Sequence, residues 1–464
     1  MKKQSSGFDN TKKTLIILMD VLIFHLSFIL SFLLRYNWNI PQYNYISYES
    51  ASPFIILVFI FLNIMFGNYV MYNKQKTDFV YLTIIVQFFM SILIMAMTFF
   101  GRWFTFPRTI ILISFLVSSI LLTIWRLIVF KLYLKVDGTK KVLVVGDEIS
   151  CKRAVLNINQ AKNDRHIVTH VILSNYLENL KENIDQFDIV YCSSKLNEEI
   201  RTKIYELVIR NNKQLFLSTS FENLVMINPN IMNIEDESII EIKGFRISPE
   251  EDLVKRIIDF TVALVMLIIV SPIMLITAVL VKVTSKGPVL YKQVRITKGQ
   301  REFNILKFRT MSATAEKESG PVLASANDAR VTPLGKYLRS LRIDELPQLI
   351  NVLKGDMSLV GPRPERPFFV DQFIAINQYY DLRHNIRAGI TGFAQVYGKY
   401  ASDFNSKLNF DLLYIQKYSL LFDIKILLQT IKILFDKVSS KGVDEEELDN
   451  LTDSTFPENI KVIE

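Results

Sequence analysis

The sequence predicts a membrane protein of mixed class: a four-helix transmembrane bundle, a Rossmann-like cytoplasmic domain, and a re-entrant hairpin joined to an α/β catalytic domain. Half of the 464 residues are hydrophobic and the mean hydropathy is +0.24, which is high for a water-soluble protein. The apolar residues are gathered in blocks that are long enough to cross a hydrocarbon core of about 30 Å. Short strand and helix patterns alternate between these blocks, which is typical of an α/β domain.

Four apolar runs predict the transmembrane bundle, which we place in residues 1–140. The runs are Leu15–Leu34, Pro53–Tyr72, Phe79–Phe100 and Thr109–Phe130. Lysines are concentrated between the second and third runs and after the fourth, and basic residues favour the cytoplasmic face of a membrane. Both ends of the bundle are therefore predicted to be cytoplasmic. Such flanking residues explain the formal charge of +8, and no motif for binding nucleic acid accompanies it, so nucleic acid is not an expected partner.

Residues 141–246 are predicted to form the Rossmann-like domain. A buried strand ends at Gly146, and further strand and helix patterns follow it in alternation. Gly146 stands alone, however, and the acids Asp147 and Glu148 follow it where a pyrophosphate would require more glycines and no negative charge. A structural or regulatory domain is therefore favoured over the alternative, an NAD site.

A fifth apolar run, Ile257–Val281, predicts a re-entrant membrane hairpin within residues 250–285. Basic residues flank the run on both sides, and this pattern favours one membrane face for both ends. Ser271 and Pro272 lie just past the centre of the run, where the missing N–H of proline breaks a helix. We therefore expect two helices joined by a break at Ser271 and Pro272. A single kinked span is the alternative.

Residues 286–440 carry two acids and several cations that predict a catalytic domain. These residues are Asp344, Glu345, Lys307, Arg309, Arg339 and Arg363. Adjacent carboxylates repel each other, so that both stay ionised only beside a cation or a metal ion. Arginine matches phosphate oxygens with two parallel hydrogen bonds. The set predicts a pocket for metal-assisted phosphoryl transfer, and a network of surface ion pairs is the alternative.

The segment from Lys255 to Lys437 resembles the bacterial sugar transferases, also called polyprenyl-phosphate hexose-1-phosphate transferases or monotopic phosphoglycosyl transferases. The resemblance is carried by a series of ordered motifs, which are Ser271-Pro272, Lys307–Met311, Asp344–Gln348, Gly361–Pro364 and Gly389–Val396. The predicted spans and the Rossmann-like domain before them are similar to the large members of that family. Ala388 and Thr297 depart from the family pattern, where proline and glycine are usual.

This resemblance implies a two-step transfer with Asp344 as the nucleophile. Hexose-1-phosphate would pass from a UDP-sugar to Asp344 with release of UMP, and from there to undecaprenyl phosphate. Glu345 is implied as the ligand of Mg²⁺. The residues implied to bind substrate phosphates are Lys307, Arg309, Arg339 and Arg363.

The resemblance also implies a cellular setting. The protein would lie in the bacterial inner membrane, in contact with membrane lipid, with a cytoplasmic catalytic domain and a role in exopolysaccharide or capsule synthesis. A homo-oligomer is left open, and residues 441–464 are predicted to be a solvated acidic tail. Two other functions remain alternatives: a nucleotide-sugar glycosyltransferase that forms a glycosidic bond, and a non-catalytic membrane scaffold.

Overall fold

The structure of the protein is a computed structural model, and it divides the chain into two compact units. The first unit contains residues 1–218 and 450–464, and the second contains residues 219–449. The residues that the structure describes are 10–71, 76–101, 106–160, 165–311, 330–398, 404–434 and 455–464. The acidic run predicted for the start of the tail, at residues 441–454, lies outside the described residues.

Long apolar helices form the first part of the first unit. They are α1 (Asn10–Arg35), α2 (Gln42–Met65), α3 (Lys76–Phe100) and α4 (Arg108–Asp137). Large apolar side chains such as Leu22 and Leu116 are exposed on their outer faces, which suits contact with lipid. The inner faces pack aromatic rings against each other, as in the stacked pair of Phe24 and Phe59, whose centroids are 4.1 Å apart.

Arg126 of α4 is buried among these helices and binds a side chain from each of the other three. Its Nη2 donates to Asp20 Oδ2 of α1 at 2.8 Å and to Asn63 Oδ1 of α2 at 2.6 Å. Its Nη1 donates to Thr83 Oγ1 of α3 at 2.8 Å. A buried charge is tolerated only when it is paired and hydrogen-bonded, so this network fixes how the four helices align.

A five-stranded parallel sheet forms the other part of the first unit. Its strands are β1 (Lys140–Val145), β2 (His166–Ile172), β3 (Ile189–Cys192), β4 (Gln214–Leu217) and β11 (Lys461–Ile463). Its helices are α5 (Glu148–Gln160), α6 (Tyr176–Asn183) and α7 (Glu198–Arg210). The strand order is β11-β2-β1-β3-β4, and all neighbouring strands are parallel. The sequence pattern that predicted an α/β domain here is confirmed.

The turn after β1 is filled by side chains of the protein itself. A Cβ on Gly146 would lie 2.4 Å from Ser193 Cβ, so glycine is needed for this close packing. Asp147 Oδ2 accepts a hydrogen bond from the backbone N–H of Ser150 at 3.2 Å, in the first turn of α5, and Asp147 Oδ1 accepts one from Ser193 Oγ at 3.2 Å. A carboxylate therefore occupies the end of α5 where a pyrophosphate would have to bind. This arrangement is compatible with the structural or regulatory domain that we favoured over an NAD site.

The structure corrects the predicted boundaries of the Rossmann-like domain and of the tail. Residues 219–246 belong to the second unit, not to the Rossmann-like domain predicted at 141–246. Within the tail predicted at 441–464, residues 461–463 are not solvated coil but form β11, which pairs with β2. Local sequence patterns missed both features because contacts between distant parts of the chain determine them: core packing for residues 219–246 and strand pairing for β11.

The second unit starts with α8 (Phe221–Val225) and the antiparallel hairpin of β5 (Asn230–Ile234) and β6 (Glu237–Glu241). A long helix, α9 (Pro249–Thr284), follows. Its start is defined by Pro249 at the first helical position and by a capping box in which Ser248 and Glu251 bond each other's backbone. Together with α1 to α4, α9 is one of five helices in the described residues that are long and apolar enough to cross a membrane. These helices identify a membrane protein.

The break predicted at Ser271 and Pro272 does not interrupt α9, so the expectation of two separate helices was wrong. The helix runs through both residues, with Pro272 inside it. Pro272 has no N–H to donate to the carbonyl of Ile268, four residues earlier. The hydroxyl of Ser271 donates to that carbonyl instead, at 2.8 Å. Ser271 thus replaces the hydrogen bond that proline removes, and the helix continues.

The remainder of the second unit consists of short strands and helices around one core. The strands pair as two small sheets, antiparallel β7 (Leu290–Ile296) with β8 (Glu302–Phe308) and parallel β9 (Met357–Val360) with β10 (Ala388–Thr391). The helices are α10 (Pro333–Ser340), α11 (Gln348–Lys354), α12 (Pro367–Ile376), α13 (Phe393–Tyr397), α14 (Phe404–Gln416) and α15 (Leu420–Leu434). Val352, Leu359, Tyr414 and Ile426 are buried at their centre.

Polar contacts attach both ends of α9 to this core. Near its start, Lys255 pairs with Asp423 of α15, and Asp259 accepts hydrogen bonds from Ser358 Oγ at 2.6 Å and from the N–H of Leu359 at 3.2 Å. Just beyond its end, Ser285 binds Arg309, the residue after β8. The two ends of the apolar helix are therefore bound to the same unit.

Candidate active site

The acid pair lies in a tight turn between α10 and α11. Arg342 has a φ of 56°, in the left-handed region, and this conformation ends the path of α10. Ile343–Glu345 then form one short 3-10 turn, and Pro347 precedes α11. The turn leaves Asp344 only 8% exposed. Neither acid is therefore on a solvated helix face, which would be the ordinary place for such a pair.

Three cations surround the carboxylate of Glu345. Lys307 Nζ is 2.8 Å from Oε1, Arg363 Nη2 is 3.5 Å from Oε1, and Arg342 Nη1 is 3.9 Å from Oε2. Burial opposes ionisation of this carboxyl, but the positive charges of Lys307 and Arg363 outweigh burial and lower the pKa of Glu345 to about 2. Glu345 is thus held as an anion around neutral pH.

Asp344 has the opposite surroundings although it is the adjacent residue. Its Oδ1 is buried and has no hydrogen-bond partner in the described parts of the chain. Burial, followed by the negative charge of Glu345, raises the pKa of Asp344 to about 6, while Lys307 and Arg339 oppose that rise. A carboxylate oxygen that is free of hydrogen bonds keeps its lone pairs available for attack on phosphorus or for a metal ion.

The Gly-Pro-Arg-Pro turn that carries Arg363 is fixed by two further arginines. Arg383 Nη2 donates to the carbonyl of Arg363 at 2.8 Å, and Arg295 Nη1 donates to the carbonyl of Pro364 at 3.0 Å. Arg383 is buried and pairs with Asp411 of α14 at 2.7 Å. The backbone of Arg363 is therefore fixed at two consecutive carbonyls while its side chain reaches Glu345.

Sequence reasoning missed Arg295, Arg383 and Asp411. None of the three belongs to a motif that we singled out, and their contacts join parts of the chain that are far apart in sequence. A buried arginine is recognisable as such only once its neighbours in space are known. No signal in the single sequence distinguished them from surface ion pairs.

The structure brings some of the predicted phosphate-binding residues together and separates another. Lys307 and Arg363 both contact Glu345. Arg339 donates from Nε to Thr310 Oγ1 at 2.9 Å, and its charge acts on Asp344. Arg309 contacts neither acid, because it binds Ser285 beyond the end of α9. The two predicted hairpin residues, Ser271 and Pro272, lie inside α9.

The acid pair supplies oxygen donors that suit Mg²⁺ in kind. No cluster of three or more His, Cys, Asp or Glu side chains occurs in the described residues. Mg²⁺ is usually bound by only one or two carboxylates, with substrate phosphates and water as its other ligands. The free Oδ1 of Asp344 and the ionised Glu345 fit that pattern. The two carboxylates would complete a Mg²⁺ site only if phosphate oxygens supplied the remaining ligands.

The fold and the site together define a class of protein: a membrane-associated enzyme with an α/β unit on a long apolar helix and a buried acid pair beside fixed cations. Residues 250–437, which contain this helix and every residue of the site, match the family model described as Bacterial sugar transferase. The matched segment covers more than two thirds of the length of one relative. The chain belongs to the bacterial sugar transferase family.

Three relatives show how far the similarity extends. The chain is 47% identical over 190 residues to the UDP-N-acetylgalactosamine-undecaprenyl-phosphate N-acetylgalactosaminephosphotransferase of Aeromonas hydrophila. The matched segment makes up 40% of this chain and 45% of that protein. It is 37% identical over 239 residues to the UDP-glucose:undecaprenyl-phosphate glucose-1-phosphate transferase of Klebsiella pneumoniae, covering 49% and 51% of the two chains. It is 42% identical over 190 residues to the Caulobacter vibrioides protein of the same name, covering 39% and 70%. The chain thus spans about half the length of the first two relatives.

Proposed function

We propose that the protein transfers a sugar-1-phosphate from a UDP-sugar to undecaprenyl phosphate, through a covalent intermediate on Asp344, as the first membrane step of exopolysaccharide or capsule synthesis. The observation that carries this proposal is the unequal environment of the two acids. Glu345 is bound by cations, whereas Asp344 has a buried oxygen without a hydrogen bond within the described residues. The names of the relatives support undecaprenyl phosphate as the acceptor and a UDP-sugar as the donor.

In the first step, Oδ1 of Asp344 attacks the phosphorus that bears the sugar. A bond forms between Oδ1 and phosphorus, the bond from that phosphorus to the bridging oxygen breaks, and UMP leaves with the electron pair. A carboxylate is a weak nucleophile, so the positions and charges around it must supply most of the rate acceleration. The fixed guanidinium of Arg363 and the ammonium of Lys307 are placed to bind the phosphate oxygens that carry the developing charge.

In the second step, a phosphate oxygen of undecaprenyl phosphate attacks the same phosphorus. The bond between that phosphorus and Asp344 breaks, and the carboxylate is restored as the leaving group. The product is a sugar joined to undecaprenol through a diphosphate. Burial is the first cause of the raised pKa of Asp344, so this carboxylate is more basic than an exposed aspartate. The greater basicity favours its attack in the first step.

We propose Glu345 as the group of the protein that holds Mg²⁺ together with the substrate phosphates, while Oδ1 of Asp344 stays available for the attack on phosphorus. When bound, the ion neutralises phosphate charge and orients the diphosphate for in-line displacement. Lys307 contacts Glu345 at 2.8 Å, and its ammonium balances the charge of this acid.

We further propose that α9 enters and leaves the inner membrane by its cytoplasmic face. Proline bends a helix because its ring crowds the preceding turn, even where a side chain replaces the lost hydrogen bond. Pro272 lies inside α9, and both ends of the helix bind the second unit, which supports a helix bent at that point. The catalytic unit would then be cytoplasmic, where the UDP-sugar is found, and next to the lipid phosphate at the membrane surface.

The test uses the purified full-length protein with undecaprenyl phosphate and a panel of UDP-sugars that includes glucose, galactose and N-acetylgalactosamine. We expect UMP as the nucleotide product with at least one of these donors. Asp344→Asn, which keeps the shape of the side chain, should abolish both UMP release and the trapping of a phosphosugar adduct. Turnover by Asp344→Asn would refute the nucleophile, and release of UDP would instead support the glycosyltransferase alternative.

A further inference from the structure

Arg309 is a buried cation whose hydrogen-bonding capacity is only partly used. The residue is 7% exposed, and its Nη2 donates to the carbonyl of Ser285 at 2.8 Å and to Ser285 Oγ at 2.6 Å. Its Nε and Nη1 are also buried but have no hydrogen-bond partner in the residues that the structure describes. Buried N–H groups of a cation destabilise a protein unless an acceptor binds them. These two atoms therefore require a hydrogen-bond acceptor that the described chain does not provide.

Arg309 contacts the residue after the apolar helix and lies two residues from Lys307, which binds the acid pair at Glu345. Ser285, its binding partner, directly follows α9. On the other side, Arg309 comes two residues after Lys307, and its N–H continues the strand pairing by donating to the carbonyl of Val289 at 3.0 Å. Side chains two residues apart along a strand lie on the same face. Arg309 thus shares a strand face with Lys307, which binds Glu345, and contacts the residue that follows α9.

The chemistry of the missing acceptor is suggested by this position. Guanidinium N–H groups bind phosphate oxygens strongly because the bonds are charge-assisted. Arg363 and Lys307 both contact Glu345, and in the proposed first step they bind the phosphate groups of the soluble nucleotide donor. A second cation, fixed where the long apolar helix ends, suits a phosphate that is carried by a lipid.

We propose that Arg309, oriented by Ser285, binds the phosphate of the polyprenyl acceptor and places its oxygen for attack in the second step. This inference rests on the two-step function proposed above. It divides the cations between the substrates: Arg363 and Lys307 serve the donor diphosphate, and Arg309 serves the acceptor.

The two half-reactions separate these roles. The experiment uses full-length protein in phosphatidylcholine nanodiscs and the variants Arg309→Gln, Arg309→Lys and Ser285→Ala. Without acceptor, the first half-reaction is measured as the burst of UMP and the yield of adduct. With increasing undecaprenyl phosphate, the second is measured as the acceptor KM. Arg165→Gln is the matched control, because Arg165 is also 7% exposed but belongs to the first unit.

Arg309→Gln should form the adduct at close to the wild-type yield but raise the acceptor KM by about tenfold, the usual size of one lost charge-assisted bond. Arg309→Lys should recover part of this loss because it keeps the charge. Ser285→Ala should have a smaller effect, since the carbonyl of Ser285 still binds Nη2. Arg165→Gln should leave both half-reactions unchanged.

Two further arms identify the source of the phosphate. Inorganic phosphate should compete only weakly with undecaprenyl phosphate, because it lacks the membrane anchor. Replacing part of the phosphatidylcholine by phosphatidylglycerol should leave the effect of Arg309→Gln on the acceptor KM intact. If that effect instead follows the content of anionic lipid, Arg309 binds lipid headgroups in general and the assignment to the acceptor is wrong.

The inference is overturned if Arg309→Gln leaves the acceptor KM unchanged, or if it reduces adduct formation and acceptor transfer to the same extent. Thermal unfolding of each variant separates these outcomes from simple loss of the fold. If the wild-type protein forms no adduct with any UDP-sugar, that result contradicts the proposed two-step function. It is therefore distinguishable from a failure of the assignment of Arg309 to the acceptor.

Discussion

At the scale of single residues, two adjacent acids of similar chemistry have opposite properties because their contacts differ. Glu345 lies within 4.0 Å of three cations, and after the cost of its burial these charges lower its pKa to about 2. Asp344 has a buried oxygen without a hydrogen bond among the described residues, and burial raises its pKa to about 6. One acid is fixed as an anion, and the other can gain and lose a proton near neutral pH.

This difference leads to a prediction on pH. A protonated carboxyl cannot attack phosphorus, so the UMP burst of the first half-reaction should accelerate as the pH rises through about 6, where the pKa of Asp344 lies, and then level off. Glu345 should contribute no step in this range because its pKa is lowered to about 2. The measurement is the rate of the burst between about pH 5 and about pH 8, a range in which unperturbed carboxyls are already ionised.

Lys307→Gln provides a matched test of the assignment. The positive charge of Lys307 opposes the rise in the pKa of Asp344, so its removal should move the midpoint of the rate profile to higher pH. A midpoint that stays in place would mean that another group controls the rate. Lys203→Gln serves as a control, since Lys203 pairs with Glu199 on the surface of α7 in the first unit.

The site also shows which residues a single sequence can reveal. Asp344, Glu345 and Arg363 lie in compact motifs, and the structure brings them together as predicted. Arg383 was missed because its role depends on the carbonyl of Arg363 and on Asp411, 28 residues further along the chain. A contact between distant segments leaves no local pattern, so a list of motifs contains the chemical groups but not the residues that position them.

At the scale of elements, α9 shows how a hydroxyl changes the effect of a proline. The sequence pattern correctly placed the apolar run and its basic flanks, but it predicted a break where the helix is continuous. The reason is the bond from Ser271 Oγ to the carbonyl of Ile268, which has lost its usual donor to Pro272. Composition and periodicity predict whether a helix is apolar; they do not predict which carbonyl a serine side chain will bind.

The hydrogen bond of Ser271 can be tested against a matched hydroxyl on the same helix. Thr261 Oγ1 donates to the carbonyl of Ile257 at 2.9 Å, but no proline removes the backbone donor there. Ser271→Ala should therefore destabilise the protein by about 1 kcal/mol, the cost of one unsatisfied carbonyl. Thr261→Ala should cost less. The measurement is unfolding of the detergent-solubilised protein by heat or denaturant, and equal losses in the two variants would contradict the role of Ser271.

At the scale of the whole molecule, the chain does not visit its two units in simple succession. It leaves the first unit after residue 218 and returns to it at residue 450, after the whole of the second unit. The returning segment contributes β11, which pairs in parallel with β2, and buries Ile460 against the sheet. Three residues that follow an acidic run carry no recognisable strand pattern, and the sheet alone determines their conformation. The alternating pattern of residues 141–246 therefore predicted the α/β domain but missed the strand that comes from the distant end of the sequence.

The returning segment should stabilise the first unit while leaving the chemistry of the second unit unaffected. Ile460 is 6% exposed, and replacing a buried isoleucine by alanine costs about 2–5 kcal/mol through lost burial and the cavity that remains. Ile460→Ala should therefore lower the thermal stability of the first unit, and removal of residues 455–464 should lower it further because β2 also loses its parallel partner. Lys461→Ala, at an exposed position of the same segment, is the matched control and should change little. The readouts are hydrogen exchange of the β2 amides and UMP release by the same samples. Faster exchange in β2 with unchanged UMP release is the expected result, whereas unchanged exchange would show that β11 does not stabilise the sheet.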